Sequence, residues 1–172
     1  MSERRVPVTV EAVARAPIAL TFDTIMPIDL ASIFERRGVL PGVTGVRGQT
    51  GPWASAGQRR TVLLSDGGEM TEALTAVDRP DRFAYDLTPA RGPLKALVAD
   101  IRGEWEFFGD EADGQTTVRW TYAFAPRSAA TAPLVRHVLA RLWRPYAAAV
   151  LDRAVRAAEQ RAATGAAGPA AS

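Results

Sequence analysis

Arg60 and Glu72 are the two charged residues whose setting points to chemistry in this chain of 172 residues. They flank the turn Ser65-Asp66-Gly67-Gly68, so an antiparallel hairpin sets them on one face or on opposite faces according to how the turn is built. A two-residue turn separates them. A three-residue loop with a left-handed glycine and a bulge restores common parity, grouping Arg60, Val62 and Leu64 with Met70, Glu72 and Leu74. Two successive glycines favour the bulge, because the left-handed position then carries no steric cost. On that geometry an arginine–carboxylate pair projects inward, where it can orient a carbonyl or carboxylate, polarise an enolate or move a proton. The competing reading is a solvated cross-strand pair worth about 0.2–1 kcal/mol.

Other chemistries lack their raw material. The chain has no cysteine, which removes disulfides, thiolate catalysis and cysteine-ligated metals. His137 is its one histidine, so neither a histidine-built metal site nor a Ser-His-Asp triad is expected, and no metal or cofactor is. His137 falls on the side of a helix shared with Arg141 and Arg144 and is expected to be solvated and inert. Those arginines either face water or meet anionic lipid headgroups. With 21 basic and 19 acidic residues the net charge is only +2, which argues against nucleic acid as a partner. The first residues lack the apolar run of a signal peptide, and no stretch approaches the ~20 apolar residues of a membrane span. A cytoplasmic location is the resulting expectation.

The elements that must position these residues can be read from period and punctuation. Val6, Val8 and Val10 alternate with Pro7, Thr9 and Glu11, the pattern of a half-buried strand. Pro17 reads as a first helical residue, and the segment to Arg37 carries two short helices broken near Pro27, although Ile18, Leu20 and Phe22 also alternate and could extend a strand. Glycine, proline and aspartate then cut the chain into six runs, about 43–49, 58–65, 69–77, 82–88, 97–108 and 116–125, that read as an antiparallel meander. From Thr131 to Ala163 the period becomes 3.6, with Val135, Val138, Leu139, Leu142, Tyr146, Ala149 and Val150 on one arc facing the sheet, and Pro145 predicts a bend near Arg141–Leu142. Residues 1–163 thus form a single α+β domain, and 164–172 read as a loose tail.

Alternation places Phe83, Tyr85, Trp105, Phe107, Trp120 and Tyr122 on the inner sheet face, with Tyr146 on the helix arc opposite. For any one ring, plain core packing competes with the lining of a cavity. Tyrosine and tryptophan are the better pocket candidates, because their polar atoms need a partner when buried. Trp53, in a glycine-rich loop, either caps a cavity mouth or anchors its loop on the core.

A strand, two short helices, six antiparallel strands and a long terminal helix is the order of the helix-grip fold, a curved seven-stranded sheet wrapped around its last helix. Four segments carry a closer resemblance: Phe22 to Leu30, Gly57 to Val62 leading into Ser65-Asp66-Gly67, Gly103-Glu104-Trp105, and Trp120 to Ser128. In these the chain, from about Val8 to Leu151, resembles the START/Bet v 1-like (SRPBCC) superfamily, in its polyketide cyclase/dehydrase and lipid transport branch. The resemblance implies a cavity between sheet and helix suited to lipids, polyketides, sterols or aromatic metabolites, with Trp53, Leu142 and the seven aromatic residues as ligand contacts. The first expectation is a binding or carrier protein for a small hydrophobic ligand, acting as a monomer or homodimer. The second is a cofactor-independent aromatase/cyclase in which Arg60, Glu72 or a tyrosine moves protons. The third is an interaction protein whose cavity is filled by Trp105, Trp120 and Leu142.

Overall fold

The computed structural model describes residues 5–166. Val6, Val8 and Val10 point inward along β1 (Val6–Ala14) while Glu11 faces water. Pro17 then caps α1 (Ile18–Ile25) from an extended conformation instead of serving as its first residue. Helix wins over strand here because Ile18, Phe22 and Ile25 share one helical face and all three are buried. Pro27, which has no amide hydrogen, follows the end of α1. A second short helix, α2 (Leu30–Ile33), starts behind Asp29, whose carboxylate accepts the Ala31 amide at 3.1 Å.

Six strands follow on the runs expected: β2 (Val43–Arg47), β3 (Arg59–Leu64), β4 (Glu69–Asp78), β5 (Arg82–Arg91), β6 (Val98–Gly109) and β7 (Thr116–Pro126), with a one-turn helix α3 (Leu94–Leu97) between β5 and β6. All pairings are antiparallel, in the order β1-β7-β6-β5-β4-β3-β2. The return of β7 to β1 places the first and last strands side by side, with Val8 opposite Tyr122 and Val10 opposite Trp120. In the β3–β4 hairpin the Gly67 amide donates to the Leu64 carbonyl at 3.0 Å, and the Leu64 amide to the Gly68 carbonyl at 2.9 Å. With Gly67 at φ +81°, this is the three-residue loop with a left-handed glycine, and Arg60 comes to lie directly opposite Glu72.

The terminal helix crosses the concave face in three continuous pieces, α4 (Ala132–Leu134), a π turn (Val135–Leu139) and α5 (Ala140–Ala166). Pro145 sits inside α5, but the irregularity that matters comes earlier, where the Ala140 amide reaches back five residues to the Val135 carbonyl. One residue more per turn rotates every later side chain by about 100°. The apolar arc expected from a 3.6 period is therefore corrected. Val138 (46% exposed) and Leu142 (43%) stand outward, and Trp143, Ala147 and Leu151 take inward places beside Leu139, Tyr146 and Val150. Thr164–Ala166 complete the helix instead of opening a tail, and 167–172 lie outside the described residues.

Buried side chains of the sheet, α1 and the terminal helix make one contiguous apolar cluster. Among the described residues no helix is long and apolar enough to cross a membrane. The displaced arc has a measurable signature. Leu151→Ala, at a site 1% exposed, is expected to lower unfolding free energy by about 2–5 kcal/mol. Leu142→Ala is expected to stay within about 0.5 kcal/mol of the parent. Chemical denaturation of the two variants checks both.

Candidate functional site

Because Arg60 and Glu72 are cross-strand partners on the concave face, their side chains meet directly. Arg60 Nε donates to Glu72 Oε2 at 2.5 Å, and both side chains are nearly sealed from bulk water, at 6% and 5% exposure. Burial raises the Glu72 carboxyl above its ordinary value, and the charge and hydrogen bond of Arg60 oppose that rise. Trp53 covers the other side of the guanidinium, with Arg60 Cζ 3.8 Å from its ring centroid. This tryptophan is held at φ +58°, in the left-handed region, and is 3% exposed. It folds inward over Arg60 from the loop between β2 and β3. Among the described residues no hydrogen bond engages the Arg60 Nη groups or Glu72 Oε1, and only Trp143 Nε1 is a fully enclosed side-chain polar atom without a partner. The free edges of the ion pair therefore open onto the space in front of them.

Beside this pair lies a second polar arrangement built from aromatic residues. Tyr85 Oη accepts hydrogen bonds from Trp120 Nε1 at 3.0 Å and Trp105 Nε1 at 3.4 Å, and the two indoles stack at a centroid distance of 4.7 Å. With both indole hydrogens directed at its oxygen, the hydroxyl retains its own hydrogen for donation. Burial, reinforced by the charge of Glu72, pushes its pKa far up, so Tyr85 acts as a neutral donor. The ring reaches this position by lying across Gly103 on the neighbouring strand. A Cβ at Gly103 would meet Tyr85 Cζ at 2.2 Å and its hydroxyl oxygen at 2.5 Å. Glycine there is a requirement of close approach, not of backbone angle.

The space enclosed is a cavity of about 300 Å³ between the concave face and the terminal helix. Among the described residues Arg60 and Glu72 are the buried charged groups that line it, Asp66 and Arg91 lying further out, and Met70, Phe83, Tyr85, Leu87, Ile101, Trp105 and Tyr122 belong to its apolar wall. Trp53 and Tyr146 also line it. The Tyr146 hydroxyl donates to the Pro41 carbonyl at 2.8 Å, tying the loop after α2 to the helix, and its pKa is pushed up to about 12 by burial. Burial likewise raises Tyr122. Val39, Leu134, Val138 and Leu142 line the cavity while remaining 43–78% exposed, and so mark its mouth.

Several expected ligand contacts sit elsewhere. Phe107 packs against Phe22 of α1 at 5.3 Å and against Phe83, in the core and not on the cavity wall. Trp120 is enclosed by Phe34, Trp105 and Trp143, and its indole hydrogen is committed to Tyr85. Leu142 contributes to the rim and does not close the inner face. That position belongs to Trp143, which stacks on Tyr122 at 4.4 Å and escaped the sequence reading because the π turn moved it inward. A large indole one residue from the predicted arc was the available signal. His137 is exposed, as expected. Among the described residues no cluster of three or more histidine, cysteine, aspartate or glutamate side chains is placed to hold a metal.

A seven-stranded antiparallel sheet curved over one long helix, with a ligand-sized apolar cavity between them, defines the helix-grip fold of Bet v 1-like proteins. Residues 5–159 match the family described as polyketide cyclase / dehydrase and lipid transport, and the chain belongs to that family. Among solved structures it is similar to the ZhuI aromatase/cyclase from Streptomyces sp. R1128, with TM-score 0.70 and 19% identity over 96% of this chain and 99% of that one. It is also similar to Ara h 8.0201, with TM-score 0.63 and 13% identity over 93% and 99%. A protein from Nitrosospira multiformis aligns with TM-score 0.56 and 18% identity over 87% and 94%. At these identities the likeness is one of fold. No curated protein matches the chain.

Two measurements probe the geometry. Gly103→Ala is expected to displace the Tyr85 ring and cost about 1–3 kcal/mol, with altered emission from the Trp105–Trp120 stack. For Glu72, a folded pKa above the unfolded value of 4.5 means that protonation favours the native state. Its contribution to stability is full below pH 4.5 and lost as pH rises through the folded pKa. The unfolding free energy of the parent minus that of Glu72→Gln should therefore fall as pH is raised from 4 upward.

Proposed function

We propose that this protein binds a small, largely apolar ligand, aromatic or polyketide-like, that carries a carbonyl or carboxylate at its inner end. The observation that carries this reading is the Arg60–Glu72 pair. A buried ion pair in an apolar wall seldom stabilises a fold as well as packed hydrocarbon does, yet here it faces a cavity with guanidinium donors and a carboxylate oxygen unengaged. A ligand oxygen placed on the Arg60 Nη groups would answer the donors, and a neighbouring ligand hydroxyl would answer Glu72 Oε1. The Tyr85 hydroxyl offers one further donor, and the flat walls of Phe83, Trp105 and Tyr122 suit a planar body. The proposal takes the protein as a cytoplasmic monomer or homodimer that works without a metal or cofactor.

A second reading has its own support in the raised carboxyl of Glu72 beside a fixed cation. On a poly-carbonyl chain, Glu72 as carboxylate would take a proton from a carbon between two carbonyls. Arg60 would hold the resulting enolate oxygen while that carbon attacks a carbonyl folded against it by the cavity walls, and the proton held by Glu72 would pass to the alkoxide oxygen so formed. This is cyclase chemistry without a cofactor, and it needs Arg60 and Glu72 to face the cavity together. The filled-cavity reading lacks support, because Leu142 leaves the inner face open.

Native mass spectrometry of the purified protein, with extraction of whatever travels with it, is the direct test. A co-purified lipid or aromatic metabolite is expected. A clean apo mass together with no thermal shift across a lipid and polyketide panel would overturn the binding proposal. For a ligand so found, Arg60→Gln should weaken binding roughly 10- to 100-fold, the worth of a charge-assisted hydrogen bond, whereas an analogue without the oxygen should bind both forms alike. Loss of turnover with retained binding in Glu72→Gln would favour the cyclase reading.

A further inference from the structure

Among the described residues, four of the seven large apolar side chains that stand exposed gather at one place, while Val13, Val46 and Phe108 lie elsewhere. Val39, Leu134, Val138 and Leu142, between 43% and 78% exposed, all border the mouth of the cavity. Val39 stands on the loop after α2. Leu134, Val138 and Leu142 follow one another at four-residue spacing along the start of the terminal helix, so they form one outward stripe on the opposite side of the opening. Leu142 is on this stripe for the reason already given, the extra residue of the π turn.

Charge is distributed with the same polarity. The three segments that furnish the mouth come from stretches 36–65, 87–99 and 115–151, none of which contains an aspartate or glutamate. Arg36 and Arg37 adjoin Val39, Arg91 precedes α3 and Lys95 lies within it, and Arg136 and Arg141 flank the helical stripe, all of them exposed, with Arg91 3.8 Å from Glu69. Arg37 is held in place by donating to the Pro145 carbonyl at 3.0 Å. Among the described residues Asp66, already engaged by the Gly68 amide at 2.8 Å, is the one acid on the outer part of the cavity lining, and the neighbouring Glu35 and Glu69 are paired, with Arg153 at 2.6 Å and with Arg47 at 2.8 Å. At the other end of the sheet, the turns between β4 and β5 and between β6 and β7 carry Asp78, Asp81, Asp110, Glu111 and Asp113 against Arg79 and Arg82, so acids outnumber bases there. A net charge of only +2 thus conceals a molecule that is basic at its mouth and acidic at its far end.

We propose that the mouth of the cavity docks on an anionic lipid surface. Aliphatic tips ringed by long arginine side chains match the layering of a bilayer boundary, apolar groups sinking below the headgroups while guanidiniums remain level with the phosphates. The aliphatic residues stand on two sides of an opening and do not line a continuous groove, which suits a soft surface better than a partner helix. Docked in this way, the cavity opens directly toward the hydrocarbon, and an apolar ligand enters or leaves without crossing water. The far end, being acidic, is turned away by the same field. The inference stands on the rim alone and holds whatever the cavity contains.

Vesicle flotation with the full-length protein tests it. The parent is expected to float with phosphatidylcholine vesicles containing about one-third phosphatidylglycerol, to be released by high salt, and to remain in solution with phosphatidylcholine alone. Each basic residue near an anionic surface is worth roughly a fivefold factor in partitioning, so Arg136→Glu/Arg141→Glu should reduce binding by more than about tenfold. Leu142→Glu, which removes an aliphatic contact and adds repulsion, should also release the protein. Arg102→Glu/Arg156→Glu, an equal charge change at exposed sites outside the segments of the mouth, should bind like the parent. No flotation with anionic vesicles would overturn the proposal, as would rim variants that float like the parent. A rim-dependent dimer in solution without vesicle binding would overturn it in favour of a second copy of the chain, and capture by an acidic protein alone would do so in favour of a protein partner.

Discussion

How closely the terminal helix approaches the sheet governs everything else in this structure. Where α5 meets β1 and α1, its inward side chains are aliphatic and half of them alanine: Ala147, Val150, Leu151, Ala154, Val155 and Ala158. The backbone can settle close there. One to two turns earlier the inward side chains are Trp143, whose ring stacks on Tyr122 of the sheet, and Tyr146, whose ring meets Phe34 at a tilt, and bulk of this size holds the helix away from the sheet. A helix near the sheet at one end and propped at the other encloses a wedge of space. The cavity is that wedge, and its mouth lies at the propped end.

The polar groups of the wall follow from this arrangement. A charged pair such as Arg60–Glu72 survives burial because each member is the other's partner and because Trp53 stacks over the cation. Tyr85 survives burial because two indoles donate to it, and it can reach them only across a residue without a side chain. Both devices hold a polar atom at a defined point in an apolar wall. That is how a binding site gains orientation without losing its dryness. The loop carrying Val39 is tied to the helix by Tyr146 and Arg37, so the rim is built on the same supports as the interior.

Much of this was legible in one dimension. Strand alternation in β1, β6 and β7 needs only local sequence, since a half-buried strand shows its period directly, and the turn glycines marked the hairpins. Gly67 and Gly68 favoured a common face for Arg60 and Glu72, because turn geometry sets strand parity and parity sets which side chains share a face, and the fold decided that this face is the inner one. The absence of cysteine and the single histidine confined the chemistry before any fold was known.

What the sequence could not decide depends on groups distant along the chain. A 3.6 period assumes an unbroken α-helix, and the π turn at Val135–Leu139 invalidated that assumption, exchanging Leu142 for Trp143 at the inner face. Alternation assigned Phe83, Phe107, Trp105 and Trp120 alike to the concave face. Which of them meets empty space depends on what packs opposite, and only α1 and the terminal helix determine that Phe107 and Trp120 are covered while Phe83 and Trp105 are not. Local sequence by itself determined the elements and their alternating faces, and it favoured a common face for Arg60 and Glu72 without deciding that this face is the inner one. Tertiary structure alone decided the volume left between sheet and helix, because a void is set by the mutual approach of surfaces that no single segment encodes.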